Sequence, residues 1–239
     1  MTRTPGPRAR KRSHFEAEIV RLGRRQLGEV GAAALSLRQI ARELGMASSA
    51  VYQYVASRDE LLTRLIVESY ESLAASAAAA EAAVDRADLA GRWDAIAAAV
   101  RAWGRANPYD WALLYGSPVP GYDAPGERTT ESGTRVQALL IALLVDIVAA
   151  GDAVGPAAEL PVPAGAATLG QEVLAAFGYR PDEVSPELAA RAVVAWTLLV
   201  AAVSSEVFGH LGEVPDADAL FAFTSKTALG LVFTPRFVS

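Results

Sequence analysis

Ser36–Leu62 reads SLRQIARELGMASSAVYQYVASRDELL, and three helix starts crowd into it. Ser36-Leu-Arg-Gln39 has the capping-box pattern: the Ser36 hydroxyl accepts from the Gln39 amide while the Gln39 side chain reaches back. Leu37, Ile40, Ala41 and Leu44 recur at helical spacing and give the short helix after it one apolar face. Gly45 can take the left-handed conformation that stops such a helix. A second short helix is expected over Ser48–Val55, with Val51 and Val55 inward, and Ser57 can cap a longer one from Arg58 to about Ala80. Two short helices around one glycine form a helix-turn-helix, whose second helix enters the major groove of DNA.

Upstream, Phe15, Ile19, Leu22 and Leu27 mark one face of a first helix, closed by Gly28 and Gly31. Residues 1–12, MTRTPGPRARKR, hold four arginines and Lys11 without apolar periodicity. They read as a disordered basic arm, either simply solvated or adding phosphate or minor-groove contacts. Charge supports a division of labour. Residues 1–64 carry a net +6 and the remainder −11, within a total of −5. A basic head on an acidic body implies that only the head meets a polyanion.

Downstream the chain reads as helix after helix: Asp88 to Asn107, Pro108–Tyr115, about Thr129–Ala150, Ala166–Phe177, Pro186–Leu211 and Asp216–Val232. Gly116–Gly126 (GSPVPGYDAPG) is a loop and Gly151–Pro163 a Gly/Pro-rich connection. No segment alternates at period two, so the expected fold is all-α. The expected divisions are a basic arm at 1–12, a three-helix DNA-binding domain at 13–57, and a larger helical ligand-binding and dimerisation domain at 58–239.

Composition narrows the chemistry. There is no cysteine, which excludes disulfides, thiolate zinc sites and cysteine nucleophiles. The two histidines, His14 and His210, are far apart in sequence, so neither a catalytic triad nor a histidine-rich metal site is expected. An all-α hydrolase using Asp and Glu is the rival reading and has little to work with. No catalytic residue, metal or cofactor is expected. The runs Ala138–Val145 and Ala192–Val203 fall short of the roughly 20 residues that span a bilayer. With no secretory signal pattern, a cytoplasmic location without membrane contact is expected.

Ser36–Leu62, together with the first helix, resembles the tetracycline-repressor (TetR/AcrR) family of bacterial regulators. The matching features are Ile40-Ala41, Leu44-Gly45, Tyr52, the aromatic Tyr54 before Val55, and Ser57-Arg58 before Leu61-Leu62. The chain departs from the family pattern at Ala47, where a capping serine is common, and at Tyr54, where histidine is. Ser48 or Ser49 would then supply the cap. The resemblance implies that Ser48, Ser49, Gln53 and Tyr54 face the groove. Gln53 can pair with adenine through two hydrogen bonds. Tyr52, Arg38 and Arg58 would contact phosphates; alternatively the two tyrosines pack the small domain and Arg38 is a solvated charge.

The segment Trp103–Trp111, followed by LLYGSPVPGYDAP (Leu113–Pro125), and the later Ala195–Gly212 resemble one branch of the family's C-terminal domains. This implies the architecture of a ligand-binding domain and names no ligand. The expected protein is a homodimer that binds a double-stranded operator and releases it on binding a small effector, apolar or aromatic because aromatic residues would line a pocket between the helices. Trp103, Trp111, Leu114, Tyr115 and Trp196 are the candidate pocket, with ordinary core as the alternative for each tryptophan. The helix Pro186–Leu211 is apolar nearly all round and needs cover on both sides. Leu199 and Val203 on it, with Phe221 on the last helix, are the candidate dimer contacts. An effector-independent regulator or an activator of the same build shares these features.

Overall fold

The computed structural model describes residues 6–154 and 161–234. Eleven α-helices make up those residues, with no strand among them beyond one isolated bridge between Ala153 and Phe233. The all-α expectation holds. The helices are α1 (Pro7–Val30), α2 (Leu37–Glu43), α3 (Ser48–Val51), α4 (Arg58–Ala82), α5 (Leu89–Ala106), α6 (Pro108–Tyr115), α7 (Gly126–Gly133), α8 (Arg135–Ala150), α9 (Ala164–Ala176), α10 (Pro186–Val207) and α11 (Ala217–Gly230).

Several boundaries differ from expectation for local reasons. The basic arm is not disordered throughout: α1 starts at Pro7, with Gly6 as N-cap, and the Arg10 amide donates to the Gly6 carbonyl at 3.1 Å. Proline suits the first helical position because it has no amide proton to satisfy there. Residues 1–5 of the arm lie outside the described residues, as do 155–160 of the Gly/Pro-rich connection. Helix α1 also runs through Gly28, on which the Tyr109 ring rests, and ends before Gly31. The long helix expected over Thr129–Ala150 is broken at Thr134 into α7 and α8.

The chain forms two compact units, Met1–Glu71 with Asn107–Gly133, and Ser72–Ala106 with Thr134–Ser239. These are not the divisions 13–57 and 58–239. The start of α4 belongs with the head because Leu61, Leu62 and Leu65 are buried in one core with Ile19, Leu37, Ile40, Val51 and Val55. Val119 and Tyr122 of the Gly116–Gly126 loop pack on the same core, and the Tyr122 hydroxyl shares a 2.9 Å hydrogen bond with Thr63 Oγ1. Asp110, at the start of α6, accepts from Ser69 Oγ at 2.5 Å and lies 3.2 Å from Arg24 Nε. Buried carboxylates need such partners to offset lost hydration. Glu60 of α4 likewise bridges Arg64 and Arg128, which holds α7 to the α4 start. The Arg128 hydrogen bond foremost, with that of Arg64, keeps the Glu60 carboxyl below its ordinary range despite partial burial.

In the second unit α10 packs against α5, α8, α9 and α11. Its crossing with α9 is close: a Cβ on Gly170 would lie 2.0 Å from the Pro186 carbonyl oxygen. Ser185 and Asp216 cap α10 and α11 by accepting from Leu188 and Ala219 amides. Among the described residues α10 alone is long and apolar enough to cross a membrane, more than the run Ala192–Val203 suggested, yet only 33% of its most apolar window is buried.

Candidate nucleic-acid interface

The interface is built by α2, α3 and the turn between them. Ser36 Oγ accepts from the Gln39 amide at 3.3 Å, as the capping box requires. The return bond comes from elsewhere: the Ser36 amide donates to Gln26 Oε1 on α1 at 2.9 Å, while Gln39 Nε2 donates along its own helix to Glu43. Borrowing the acceptor from α1 pins the start of α2 to the helix beneath it. Gly45 has φ +64°, so α2 stops there and the chain re-enters at Ala47. Neither Ser48 nor Ser49 is the cap; Ala47 holds that position without a side-chain bond.

Helix α3 is shorter than expected. After Val51 the chain continues as a tightened turn, in which the Gln53 amide donates to the Ala50 carbonyl and the Tyr54 amide to Val51. The helical sense persists long enough to sort the side chains. Val51 and Val55 are wholly buried, whereas Ser48, Ser49, Tyr52 and Gln53 are exposed together on the opposite side. Tyr52 is 45% exposed, so packing the domain is not its task. Arg38 is exposed on α2, and so is Arg42 one turn later, a cation absent from the expected contacts although its i, i+4 spacing from Arg38 is visible in the sequence.

Two of the expected DNA contacts are placed differently. Tyr54 is half-buried against the head core, its ring 5.4 Å from that of Phe15. Arg58 turns back to donate to the carbonyls of Ala32 and Ala33 at 3.0 and 3.1 Å, in the 3-10 turn Ala32–Ala34. Those carbonyls need a donor, and Arg58 supplies it instead of projecting freely towards a phosphate.

A polar exposed face on a short helix, held by an apolar face beneath, is what groove reading requires. Residues 19–65 match the family profile described as "Bacterial regulatory proteins, tetR family", and residues 93–227 match "Tetracyclin repressor-like, C-terminal domain". The chain is 44% identical, across 94% of each chain, to the HTH-type transcriptional regulator Rv1816 of Mycobacterium tuberculosis, and equally to Mb1846 of Mycobacterium bovis. It is also similar to the solved regulatory protein SCO4313, with 35% identity, a TM-score of 0.73, and coverage of 94% of this chain and all of that one. The chain belongs to the TetR family. It is a transcriptional regulator with a DNA-binding domain and not an enzyme.

The remaining residues singled out from sequence fall within this TetR framework as follows. Trp111 is fully buried in the first unit, its ring 4.5 Å from Tyr115, which in turn meets Tyr70 edge-on. Burial raises the pKa of both phenols, so these tyrosines stay neutral. Leu114 is half-buried in the same unit. Trp103 and Trp196 belong to the second; Trp103 Nε1 donates to Ser72 Oγ at 3.0 Å, and Trp196 is half-buried.

The dimer candidates need correction. Leu199 and Val203 are 1% and 0% exposed because they face the chain's own core, so neither is available to a partner. Phe221 lies under Arg101, 4.7 Å from the guanidinium carbon to the ring centre, and lines a groove of about 300 Å³ between α10 and α11. Leu220, which lines the same groove, is 41% exposed, and Phe223, three residues on in α11, is 70% exposed.

Proposed function

We propose that this TetR-family regulator is a cytoplasmic homodimeric repressor that reads a palindromic operator and releases it on binding a small apolar effector. The single observation that carries the DNA reading is the shared exposed face of Ser48, Ser49, Tyr52 and Gln53 over buried Val51 and Val55. Gln53 is the direct reader. Gln53→Ala relaxes base preference at one position of each half-site, reducing discrimination by about 1–3 kcal/mol, the worth of a bidentate base pairing. Tyr52→Phe lowers affinity for all sequences alike. Selection from a randomised duplex library, repeated with both variants, tests this; an unchanged preference in the Gln53 variant removes that residue from readout.

A second copy is the simplest cover for the α10–α11 face. Val194, Ala201, Leu220 and Phe223 are exposed there, and α10 is as apolar as a core helix while much of it is only partly buried in one chain. Two-fold pairing of α10 and α11 would form a four-helix interface. Operator binding itself needs two recognition helices about 34–36 Å apart, one turn of DNA, and so two copies of the chain. Leu220→Glu and Phe223→Glu place unpaired charges in that interface and are expected to give folded monomers with much weakened operator binding. Sedimentation showing an intact dimer for both would place the interface elsewhere.

The effector enters as a compound that favours a different separation of the two heads, through its different affinity for the two states. A screen of apolar compounds, read by operator release together with tryptophan quenching, tests it. Release by none of them favours an effector-independent regulator, and transcription from an operator-bearing promoter separates repression from activation.

A further inference from the structure

Between Gly6 and Phe15 stand Arg8, Arg10, Lys11 and Arg12, and no carboxylate appears before Glu16. The structure makes this stretch the first turns of α1, with no acidic residue in the first turn. Cations are unfavourable there, because the aligned peptide dipoles already place positive charge at that end of a helix. Arg8 and Arg10 stand in that first turn, Lys11 and Arg12 extend the run of like charge into the next, and an external polyanion is the complement that relieves their mutual repulsion.

Placement shows which polyanion. The Arg12 guanidinium carbon lies 5.9 Å from the centre of the Tyr54 ring, and Phe15 meets the same ring at 5.4 Å. Tyr54 follows directly on Gln53, so the start of α1 borders the reading face. At about 100° per residue, Lys11 and Arg12 lie roughly 40° and 60° to either side of Phe15 on the helix surface. Both therefore flank the contact with Tyr54, whereas Arg10 lies on the far side. Lys11 is exposed and forms no ion pair among the described residues. Arg12 pairs with Glu16 at 2.9 Å, with 59% of the arginine side chain exposed. Such a water-exposed pair is weak and yields readily to a phosphate.

We infer that Lys11 and Arg12 of α1 grip the DNA backbone phosphates next to the bases read by α3, extending the interface beyond the helix-turn-helix. Tyr54 is then a support for Arg12, not a reader of bases. The inference rests on the DNA-binding reading above.

The test compares wild type, Lys11→Ala/Arg12→Ala and a control, Arg180→Ala, on one selected duplex between 50 and 200 mM salt. Alanine is the strongest helix former, so the double variant keeps α1, which circular dichroism checks. Each phosphate that is no longer neutralised makes the slope of log affinity against log salt shallower by about 0.9, hence by about 3.6 for four phosphates across a dimer. The expected result is that shallower slope, unchanged base preference, and weaker hydroxyl-radical protection at the phosphates bordering each half-site. An unchanged slope and footprint in the double variant overturns the inference while leaving Gln53 readout standing. An equal change in Arg180→Ala also overturns it, since net charge alone would then suffice. If wild type selects no sequence at all, the DNA reading falls and takes this inference with it.

Discussion

Trp111→Ala is expected to destabilise the protein by about 3–5 kcal/mol, the range for removing a large aromatic side chain from a packed core. Trp111 is fully buried and the Tyr115 ring packs on it at 4.5 Å, with Tyr70 next in the aromatic series. Its neighbour in the chain, Asp110, ties α6 to Ser69 and Arg24. Removing the indole therefore loosens the unit that presents α3, and operator affinity should fall only in proportion to the unfolded fraction. Trp111→Phe should keep much of the stability, because a smaller ring leaves a smaller cavity. Urea denaturation beside operator titration separates this from a ligand-contacting role. If Trp111→Ala leaves the midpoint unchanged and abolishes only the effector response, the tryptophan serves a pocket and not the core.

The sequence disclosed the reading head in detail and the body in outline, for reasons visible in single residues. Ser36, Gly45 and Ser57 act on their immediate neighbours, so their capping and turning roles follow from spacing alone. The alternation of Val51 and Val55 with Ser48, Tyr52 and Gln53 likewise needs only the helical period. Roles that depend on distant partners were not legible. Nothing near Arg58 announces that its guanidinium is engaged by the carbonyls of Ala32 and Ala33, 26 and 25 residues away in the chain. Nor does spacing indicate that Ser36 takes its return bond from Gln26. On α10 the apolar residues surround the helix, so periodicity could not say which face is inward. Leu199 and Val203 turned out to face the core, while Leu220 and Phe223 of α11 stand exposed. The head boundary was misplaced for the same reason: Leu61, Leu62 and Tyr122 reach its core from outside the helix-turn-helix pattern.

Arg92→Ala is the second substitution expected to be severe, at about 3–5 kcal/mol, because it strips one partner from a buried ion pair. The Arg92 guanidinium is 1% exposed; its Nε donates to Glu81 Oε1 at 2.6 Å and its Nη1 to Asp146 Oδ2 at 2.8 Å. Arg86 closes the arrangement from outside, donating to the same two carboxylates at 2.9 and 2.6 Å. Burial works against the charged guanidinium, but the hydrogen bonds to Asp146 and Glu81 outweigh it and hold the Arg92 pKa above its ordinary value. Charge is thus balanced, two arginines against two acids, and the arrangement joins the end of α4 to α5 and α8. Arg86 is 69% exposed at the side chain, so Arg86→Ala should cost no more than about 1 kcal/mol, as surface pairs do. Arg92→Lys should also be costly, since one ammonium cannot span two carboxylates as the planar guanidinium does. Arg92→Met combined with Glu81→Met should recover stability relative to Arg92→Met alone, because the penalty lies in leaving Glu81 charged and buried at 7% exposure. Urea midpoints for the two single variants and the double form a cycle that isolates this coupling. A cost for Arg92→Ala no greater than for Arg86→Ala would mean that Glu81 regains solvation by local rearrangement, and the quartet would then fix no helix position.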